Sequence, residues 1–343
     1  MIDILSLTLP ELEALIIELG EPKYRAKQIY SWITKGMWGE EMRNIPKKLT
    51  EKLATVCEFR LPKVNLKLES KLDGTKKYLF ELIDGECIES VFMKYEHGNT
   101  LCISSQVGCR MGCKFCASTI LGRVRDLTPS EMLGQIIAAE KDTGERISNV
   151  VMMGIGEPLD NYDNTVKFLR LVSSPDSLNI GLRHISVSTC GLVNGIDKLA
   201  KENLPITLSI SLHAYDNEVR SSIMPVNKKY GIEELLTACH RYYEVTGRRI
   251  SFEYTLISGK NDTEEGAARL ASVLKKYMRN NIHVNLIPLN EVKETGLETS
   301  RNVNNFKNKL LSLGVNATVR RRLGSDINAS CGQLRRQSQK ESV

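Results

Sequence analysis

Three cysteines, Cys109, Cys113 and Cys116, stand in the run Cys-Arg-Met-Gly-Cys-Lys-Phe-Cys, a Cys-x3-Cys-x2-Cys triplet. Closely spaced thiols in a chain without export signals read first as metal or redox chemistry. Three sulfurs do not complete a structural zinc site, which takes four ligands in a closed tetrahedron. They do suit three irons of a 4Fe-4S cluster, leaving the fourth iron open to a ligand from outside the chain. A zinc site borrowing Cys102 or His97, or three buried thiols without a metal, is the competing reading of these residues. Two further cysteines stand apart. Cys102 lies in Thr-Leu-Cys-Ile-Ser-Ser-Gln, where a strand thiol reads most simply as a small apolar side chain. Cys331 lies in Ala-Ser-Cys-Gly-Gln, between Arg320-Arg321-Arg322 and Arg335-Arg336, and neighbouring guanidinium groups favour a nucleophilic thiolate.

A second constellation follows the apolar run at 147–153, which enters Gly154-Ile155-Gly156-Glu157-Pro158. Paired glycines let a ligand approach the backbone, and the Glu157 carboxylate can accept hydrogen bonds from an ammonium. Small polar residues end other strands. Ser188 closes the run at 184–189, Ser211-Leu212-His213 closes that at 206–212, and Asn290 follows that at 282–289. In a βα barrel these positions share the carboxyl-end face on which sites assemble.

The elements that must position these groups follow from periodicity. Residues 1–60 read as a small helical unit. It has a capping box at Thr8 and Glu11, an apolar stripe of Leu12, Leu15, Ile16 and Leu19, and further helices at 23–35 and 46–57. Residues 61–99 change to a period of two, with turns at Asp73-Gly74 and Asp84-Gly85, and read as a β-hairpin extension with strands at 76–83 and 86–95. From residue 100 to 322, strands alternate with helices at 129–141, 161–173, 232–246, 263–278 and 301–313. The expected fold is α/β, a partial (βα)6-type barrel, and residues 323–343 form a C-terminal loop and basic tail.

Composition bounds the partners. The chain has 343 residues, is 41% hydrophobic and 26% charged, and carries a formal net charge of +6. No apolar run is long enough for a membrane span and the first residues do not read as a secretory leader, so a cytoplasmic protein with no membrane contact is expected. The charge is uneven: residues 301–343 hold nine basic and two acidic side chains, while residues 1–60 hold nine of each. A polyanion contact at the C-terminal end and a merely solvated tail fit this equally.

The motifs together carry a family resemblance. Cys109, Cys113 and Cys116 preceded by Cys102, with Met-Gly-Ile-Gly-Glu-Pro-Leu-Asp-Asn-Tyr, Ile-Ser-Leu-His-Ala and Ala-Ser-Cys-Gly-Gln-Leu, resemble the RlmN/Cfr family of radical S-adenosylmethionine (SAM) enzymes. These enzymes methylate an adenine of 23S ribosomal RNA. Cys-Ala-Ser-Thr after the triplet and Gly-Glu-Pro-Leu are similar to the branch acting on carbon 2; the carbon-8 branch, the alternative, typically carries Cys-Ala-Thr-Gly and Gly-Glu-Ala. The resemblance implies a 4Fe-4S cluster on Cys109, Cys113 and Cys116. It also implies two SAM per turnover, held through Gly156, Glu157, Ser188, Ser211, Leu212, His213 and Asn290. The implied targets are adenine 2503 of 23S rRNA and adenine 37 of tRNA. It further implies that Cys331 carries the methyl group as S-methylcysteine and that Cys102 resolves the RNA adduct through a transient disulfide with Cys331. Glu89 matches the proton acceptor, with Cys102 the competing candidate; read alone, Glu89 is a solvent-facing strand residue. An external reductant such as flavodoxin or ferredoxin and a monomeric state complete the expectation. Lys23, Arg25, Lys27 and Lys35 could give the helical unit a basic RNA-contacting face. Cys57, Cys87, Cys190 and Cys239 read as bystanders.

Overall fold

The structure is a computed structural model that describes residues 1–278, 282–290 and 295–329. It opens with β1 (Ile2–Asp3), α1 (Leu9–Glu18), α2 (Tyr24–Ile33) and α3 (Lys47–Val56), after which β2 (Cys57–Glu58) pairs in parallel with β1. The capping box forms: Thr8 N–H donates to Glu11 at 2.7 Å and Glu11 N–H to Thr8 Oγ1 at 3.4 Å. Leu12, Leu15 and Ile16 turn inward and join the core with Ile29, Ile33, Leu49 and Leu53.

The chain continues through β3 (Lys63–Glu69), β4 (Lys76–Glu81), β5 (Cys87–Met93), β6 (Thr100–Cys102), β7 (Gln106–Gly108), β8 (Arg123–Asp126) and α4 (Pro129–Thr143). There follow β9 (Asn149–Met152), α5 (Tyr162–Ser173), β10 (Ile185–Thr189), α6 (Val193–Glu202), β11 (Thr207–Ser211), α7 (Asn217–Ile223) and α8 (Ile232–Thr246). The last described elements are β12 (Ile250–Leu256), α9 (Glu264–Met278), β13 (Ile282–Pro288), α10 (Val303–Ser312) and β14 (Asn316–Val319). The helical unit is latched to α4, where Ser130 Oγ donates to Asp3 at 2.5 Å and Lys141 Nζ to the Gly36 carbonyl at 2.9 Å.

Ten strands share one sheet in the order β14-β13-β12-β11-β10-β9-β6-β5-β4-β3. From β6 through β14 the neighbours are parallel, as repeated βα units require. β5, β4 and β3 extend the same sheet as an antiparallel meander, so the strands of 61–99 belong to the barrel wall. The sequence missed α6 and α7. α6 lacks a capping side chain and carries Gly195 in its first turn, and α7 spans only two turns.

Because paired strand residues share a face, the register sorts the side chains. Leu101, Val150, Val187, Leu208, Ile210, Phe252 and Val284 lie on one face and join the main core. The opposite face carries Lys77, Glu89, Val91, Cys102 and Val151, then Ser186, Ser188, Ser209, Ser251, Glu253, His283, Asn285 and Thr318. Lys77, Glu89, Cys102, Ser209, Ser251 and Glu253 are buried there. A filled barrel core would hold branched aliphatics at these positions; a polar, enclosed inner face is a lining.

Candidate active site

The three clustered cysteines lie in a loop closed at its base by the β7–β8 hairpin. Gly108 takes φ +76°, and a side chain there would run into the Gly122 carbonyl, while Cys109 N–H donates to that same carbonyl at 3.0 Å. Thr119 Oγ1 donates to the carbonyls of Cys113 (3.2 Å) and Cys116 (3.0 Å), and Lys114 N–H reaches the Ile223 carbonyl at 2.9 Å. Arg110 grips Asp160, its Nε donating to Oδ2 at 2.9 Å, so the loop is tied to the segment after β9.

The donor set fits a cluster. Burial, with the neighbouring Cys116 sulfur, pushes the Cys109 thiol up to about 12, and burial with Cys116 and Cys109 raises Cys113 likewise. Clustered thiols of which two are held this high need a cationic centre before they can ionise together. Ser118 Oγ, buried in the same loop, has no hydrogen-bond partner among the described residues. No three Cys, His, Asp or Glu side chains among those residues close around a single-ion point.

The Gly-Glu-Pro loop after β9 packs closely against the segment after β6. A Cβ on Gly154 would meet the Ile103 carbonyl at 2.6 Å, and one on Gly156, at φ +109°, would meet Gln106 N at 2.7 Å. The glycines therefore admit the protein's own β6–β7 segment. Glu157 is buried; its carboxylate accepts N–H groups of Leu159 (3.0 Å) and Cys190 (2.7 Å), while Gln106 Oε1 accepts the Glu157 N–H. Burial raises the Glu157 carboxyl, against these hydrogen bonds. It thus ties the loops after β9 and β10 together at the rim. Cys190 sits in the wall beside Cys113, its thiol pushed well up by burial.

Beyond β10 and β11, one side chain that the sequence did not single out organises the rim. Arg220, fully buried, donates to the carbonyls of Cys190 (2.7 Å), Ser211 (3.1 Å), Leu212 (3.1 Å) and Tyr230 (3.4 Å) and to Asn227 Oδ1 (3.1 Å). Ser188 and Ser211 are half-buried, Leu212 is buried and Asn290 is exposed. His213 takes φ +55°, and its ring meets Phe115 of the cysteine loop edge-on at 4.8 Å. Its Nδ1 accepts the Thr255 N–H at 2.9 Å, so the neutral ring carries its proton on Nε2.

Burial, with Arg220 adding to it, lowers His213 from 6.5 to about 3. The unfolded chain therefore binds a proton that the folded chain refuses, and stability is lost as pH falls below 6.5. By about pH 5 the loss is about 2 kcal/mol. Glu157 and Glu253, both raised by burial, act with the opposite sign, since their contribution is lost as pH rises. The clean measurement is the pH slope of urea unfolding in the wild type against His213→Gln. The variant slope should be shallower on acidification, and equal slopes would refute the assignment.

On the inner face, Cys102 packs with Val91, Met93, Val151, Met153, Leu323 and Ala329. Leu323 and Ala329 come from the segment after β14, which crosses from one edge of the sheet to the β3–β4 turn. There Ser70 Oγ and Lys71 N–H donate to Asp326 (2.6 and 2.9 Å), and Gly324 N–H donates to Asp73 (2.8 Å). Glu89 is buried, not solvent-facing, and its Oε2 lies 3.1 Å from Nζ of the fully buried Lys77. Cys331, Arg335 and Arg336 lie outside the described residues.

The basic residues are less uniform than their sequence suggests. Arg320 is half-buried toward Met153, Arg322 donates to the Leu289 carbonyl at 2.9 Å, and Arg321 is exposed. In the helical unit Lys23 pairs with Glu13 (3.0 Å), Lys27 with Asp176 (3.3 Å), and Lys35 lies over the Trp32 ring. No described helix is long and apolar enough to cross a membrane.

Comparison with known proteins agrees with this geometry. The model of the Radical SAM superfamily matches residues 103–271, and that of the ribosomal RNA large subunit methyltransferase N-terminal domain matches residues 2–59. The chain is 52% identical over 340 residues to a probable dual-specificity RNA methyltransferase RlmN of Clostridium novyi, with 98% of each chain covered. It is 53% identical over 339 residues to the protein of the same description from Clostridium botulinum, covering 98% of this chain and 97% of that one. The crystal structure of a radical SAM methyltransferase from Sphaerobacter thermophilus matches with a TM-score of 0.92 at 41% identity, over 97% of this chain and 99% of that one. A cysteine loop suited to a cluster, a parallel sheet with a polar inner face and near-full-length likeness agree: the chain belongs to the RlmN family of radical SAM RNA methyltransferases.

Proposed function

We propose that this enzyme methylates carbon 2 of adenine 2503 in 23S rRNA and of adenine 37 in tRNA, with Cys331 as methyl carrier. The observation that carries the reading is the meeting, on one enclosed inner face, of Cys102, Glu89 and the segment that leads to Cys331. Carbon 2 of adenine is an electron-poor amidine carbon and will not attack a sulfonium methyl, so a radical route is required. Cys109, Cys113 and Cys116 would hold the 4Fe-4S cluster, with SAM near Gly156, Glu157, Ser188, Ser211, Leu212, His213 and Asn290. When bound, the cluster supplies the electron that cleaves SAM to methionine and a 5′-deoxyadenosyl radical.

The chain's own residues do the rest. The Cys331 thiolate attacks the methyl carbon of a first SAM, S-adenosylhomocysteine leaves, and the residue becomes S-methylcysteine. Loss of a hydrogen atom to the deoxyadenosyl radical leaves a methylene radical on the Cys331 sulfur, which adds to carbon 2. Once the adduct radical has passed one electron to the oxidised form of the external flavodoxin- or ferredoxin-type donor and the carbon 2 proton has passed to Glu89, the base remains tethered to the protein. Cys102 then attacks the Cys331 sulfur; the carbon–sulfur bond breaks, its electron pair stays on the transferred carbon, and that carbon takes up a proton to become the methyl group. The resulting Cys102–Cys331 disulfide is reduced before the next turnover by an external donor of flavodoxin or ferredoxin type. A base in folded RNA reaches the enclosed inner face only when extruded, and Lys and Arg contacts to phosphate orient it without reading sequence. The enzyme acts as a monomer in the cytoplasm.

Anaerobic reconstitution followed by iron and sulfide analysis, then incubation with SAM, reductant and 23S RNA fragments, tests the reading. The expected product is 2-methyladenosine; 8-methyladenosine, or iron-free colourless protein, would overturn it. In the same assay Cys102→Ala should retain RNA covalently bound to protein, visible as a shifted band on a denaturing gel. Clean turnover by that variant removes Cys102 from the mechanism.

A further inference from the structure

Lys77 is fully buried on the inner face, in register with Val91 and diagonal to Glu89. Among the described residues its Nζ contacts two groups from different parts of the chain. One is the Glu89 carboxylate at 3.1 Å; the other is the backbone carbonyl of Asn328, also at 3.1 Å, which the ammonium reaches as donor. A fully buried lysine is rare, and a buried ion pair adds little stability over two apolar side chains of the same size. A site that only had to be stable could hold such a pair of apolar residues.

The second contact has support on both sides. The β3–β4 turn grips the same segment through Ser70, Lys71 and Asp73, which bind Asp326 and Gly324. Gly324 sits at φ +63°, where a Cβ would meet Thr75 at 3.0 Å and Ala329 at 2.6 Å, so the segment lies tight against the turn. Cys331 follows Asn328 by three residues in the sequence.

We infer that Lys77 is a positioning residue that locks the Glu89 carboxylate and the backbone leading to Cys331 into one register, with the β3–β4 turn as the other half of the clamp. This rests on the assignment of Cys331 as methyl carrier and Glu89 as proton acceptor. The chemistry it serves is adduct breakdown: the carbon 2 proton passes to a Glu89 oxygen, the Cys102–Cys331 bond forms, and the carbon–sulfur bond breaks. All three events need Glu89, Cys102 and Cys331 in fixed relation. Lys77 itself forms and breaks no covalent bond.

Two measurements test it. In single turnover with the cluster-loaded enzyme, SAM, reductant and RNA, Lys77→Met should slow release of methylated RNA roughly tenfold to hundredfold. The covalent adduct should accumulate while the yield of 5′-deoxyadenosine is unchanged; a merely structural defect would lower both together. Separately, the same protein without RNA is treated with diamide, which takes two electrons and two protons from a thiol pair. The rate of Cys102–Cys331 disulfide formation, read by peptide mass mapping, should fall about tenfold in Lys77→Met. A folded Lys77→Met with wild-type release and wild-type trapping overturns the inference. Should Lys77→Met fail to fold, Asp326→Ala, at an exposed position of the same clamp, decides: slowed trapping supports the inference and unchanged trapping overturns it. If the wild type makes no methylated RNA, the methyl-transfer reading fails, and the trapping rates still judge the clamp.

Discussion

Cys331→Ala is expected to reduce RNA methylation to background while leaving the iron content and the reductive cleavage of SAM in place. The two activities separate because they use different sulfurs. The cluster would sit on Cys109, Cys113 and Cys116 in the loop closed by β7 and β8, whereas Cys331, the proposed methyl carrier, comes from the far end of the chain. Without the carrier thiol there is no polar displacement on the first SAM and no methyl group for the radical to activate. The deoxyadenosyl radical can still form and be quenched. The assay pairs chromatographic detection of 5′-deoxyadenosine with mass spectrometry of digested RNA. Methylated adenosine at wild-type levels would end the methyl-carrier account, and loss of both readouts would place Cys331 in the architecture of the cluster site.

Arg220→Met is expected to cost about 3 kcal/mol of stability, a large share of the ~5–15 kcal/mol that holds a domain together. Methionine preserves the aliphatic bulk but removes every donor. Four backbone carbonyls, of Cys190, Ser211, Leu212 and Tyr230, would lose their guanidinium partner inside the protein. Each carbonyl left unsatisfied costs roughly 1–3 kcal/mol, against the relief of no longer burying a charge. Burial already lowers the affinity of Arg220 for its proton, and among the described residues no carboxylate pairs with it, so carbonyl dipoles bear the charge. Urea unfolding measures the loss. A change below about 1 kcal/mol would mean that water replaces the guanidinium. Because the carbonyls of Cys190, Ser211 and Leu212 close β10 and β11, the same substitution should also weaken SAM binding, through the backbone of Ser211 and Leu212.

Some of this was legible in the residue string. The Cys-x3-Cys-x2-Cys spacing is a local property of one loop, and three thiols on it imply an incomplete ligand set whatever surrounds them. The capping box at Thr8 is equally local, four residues reading one another across a single turn, and it forms as expected. Strand positions followed from apolar runs that tertiary contact only reinforced.

Other features needed partners distant in sequence. Glu89 alone looks like a solvent-facing strand residue; it is buried on a strand that pairs with β4 and β6, beside Lys77, which also reaches Asn328 of the segment after β14. Arg220 looks like an ordinary surface arginine on a short helix, and nothing within the helix announces four carbonyl acceptors from three other segments. Nothing near Gly154 and Gly156 in the sequence names the backbone of Ile103 and Gln106 that packs against them. The arginine triplet looks like a uniform cationic patch, but alternation after β14 turns Arg320 inward and Arg322 toward Leu289.

The sequence by itself therefore determined the donor set, the helix starts and the alternation of strand and helix, because each depends on residues within a few positions of one another. Only the tertiary structure decided that Lys77 and Glu89 pair on the inner face, that β3 to β5 extend the barrel wall, and that the final segment is clamped beside Cys102. Those outcomes depend on strand register and on contacts spanning up to 256 residues, as between Ser70 and Asp326. A pattern with a period of two leaves the neighbouring strand open; burial and the pairing of backbone donors with acceptors select it only once the whole sheet has formed.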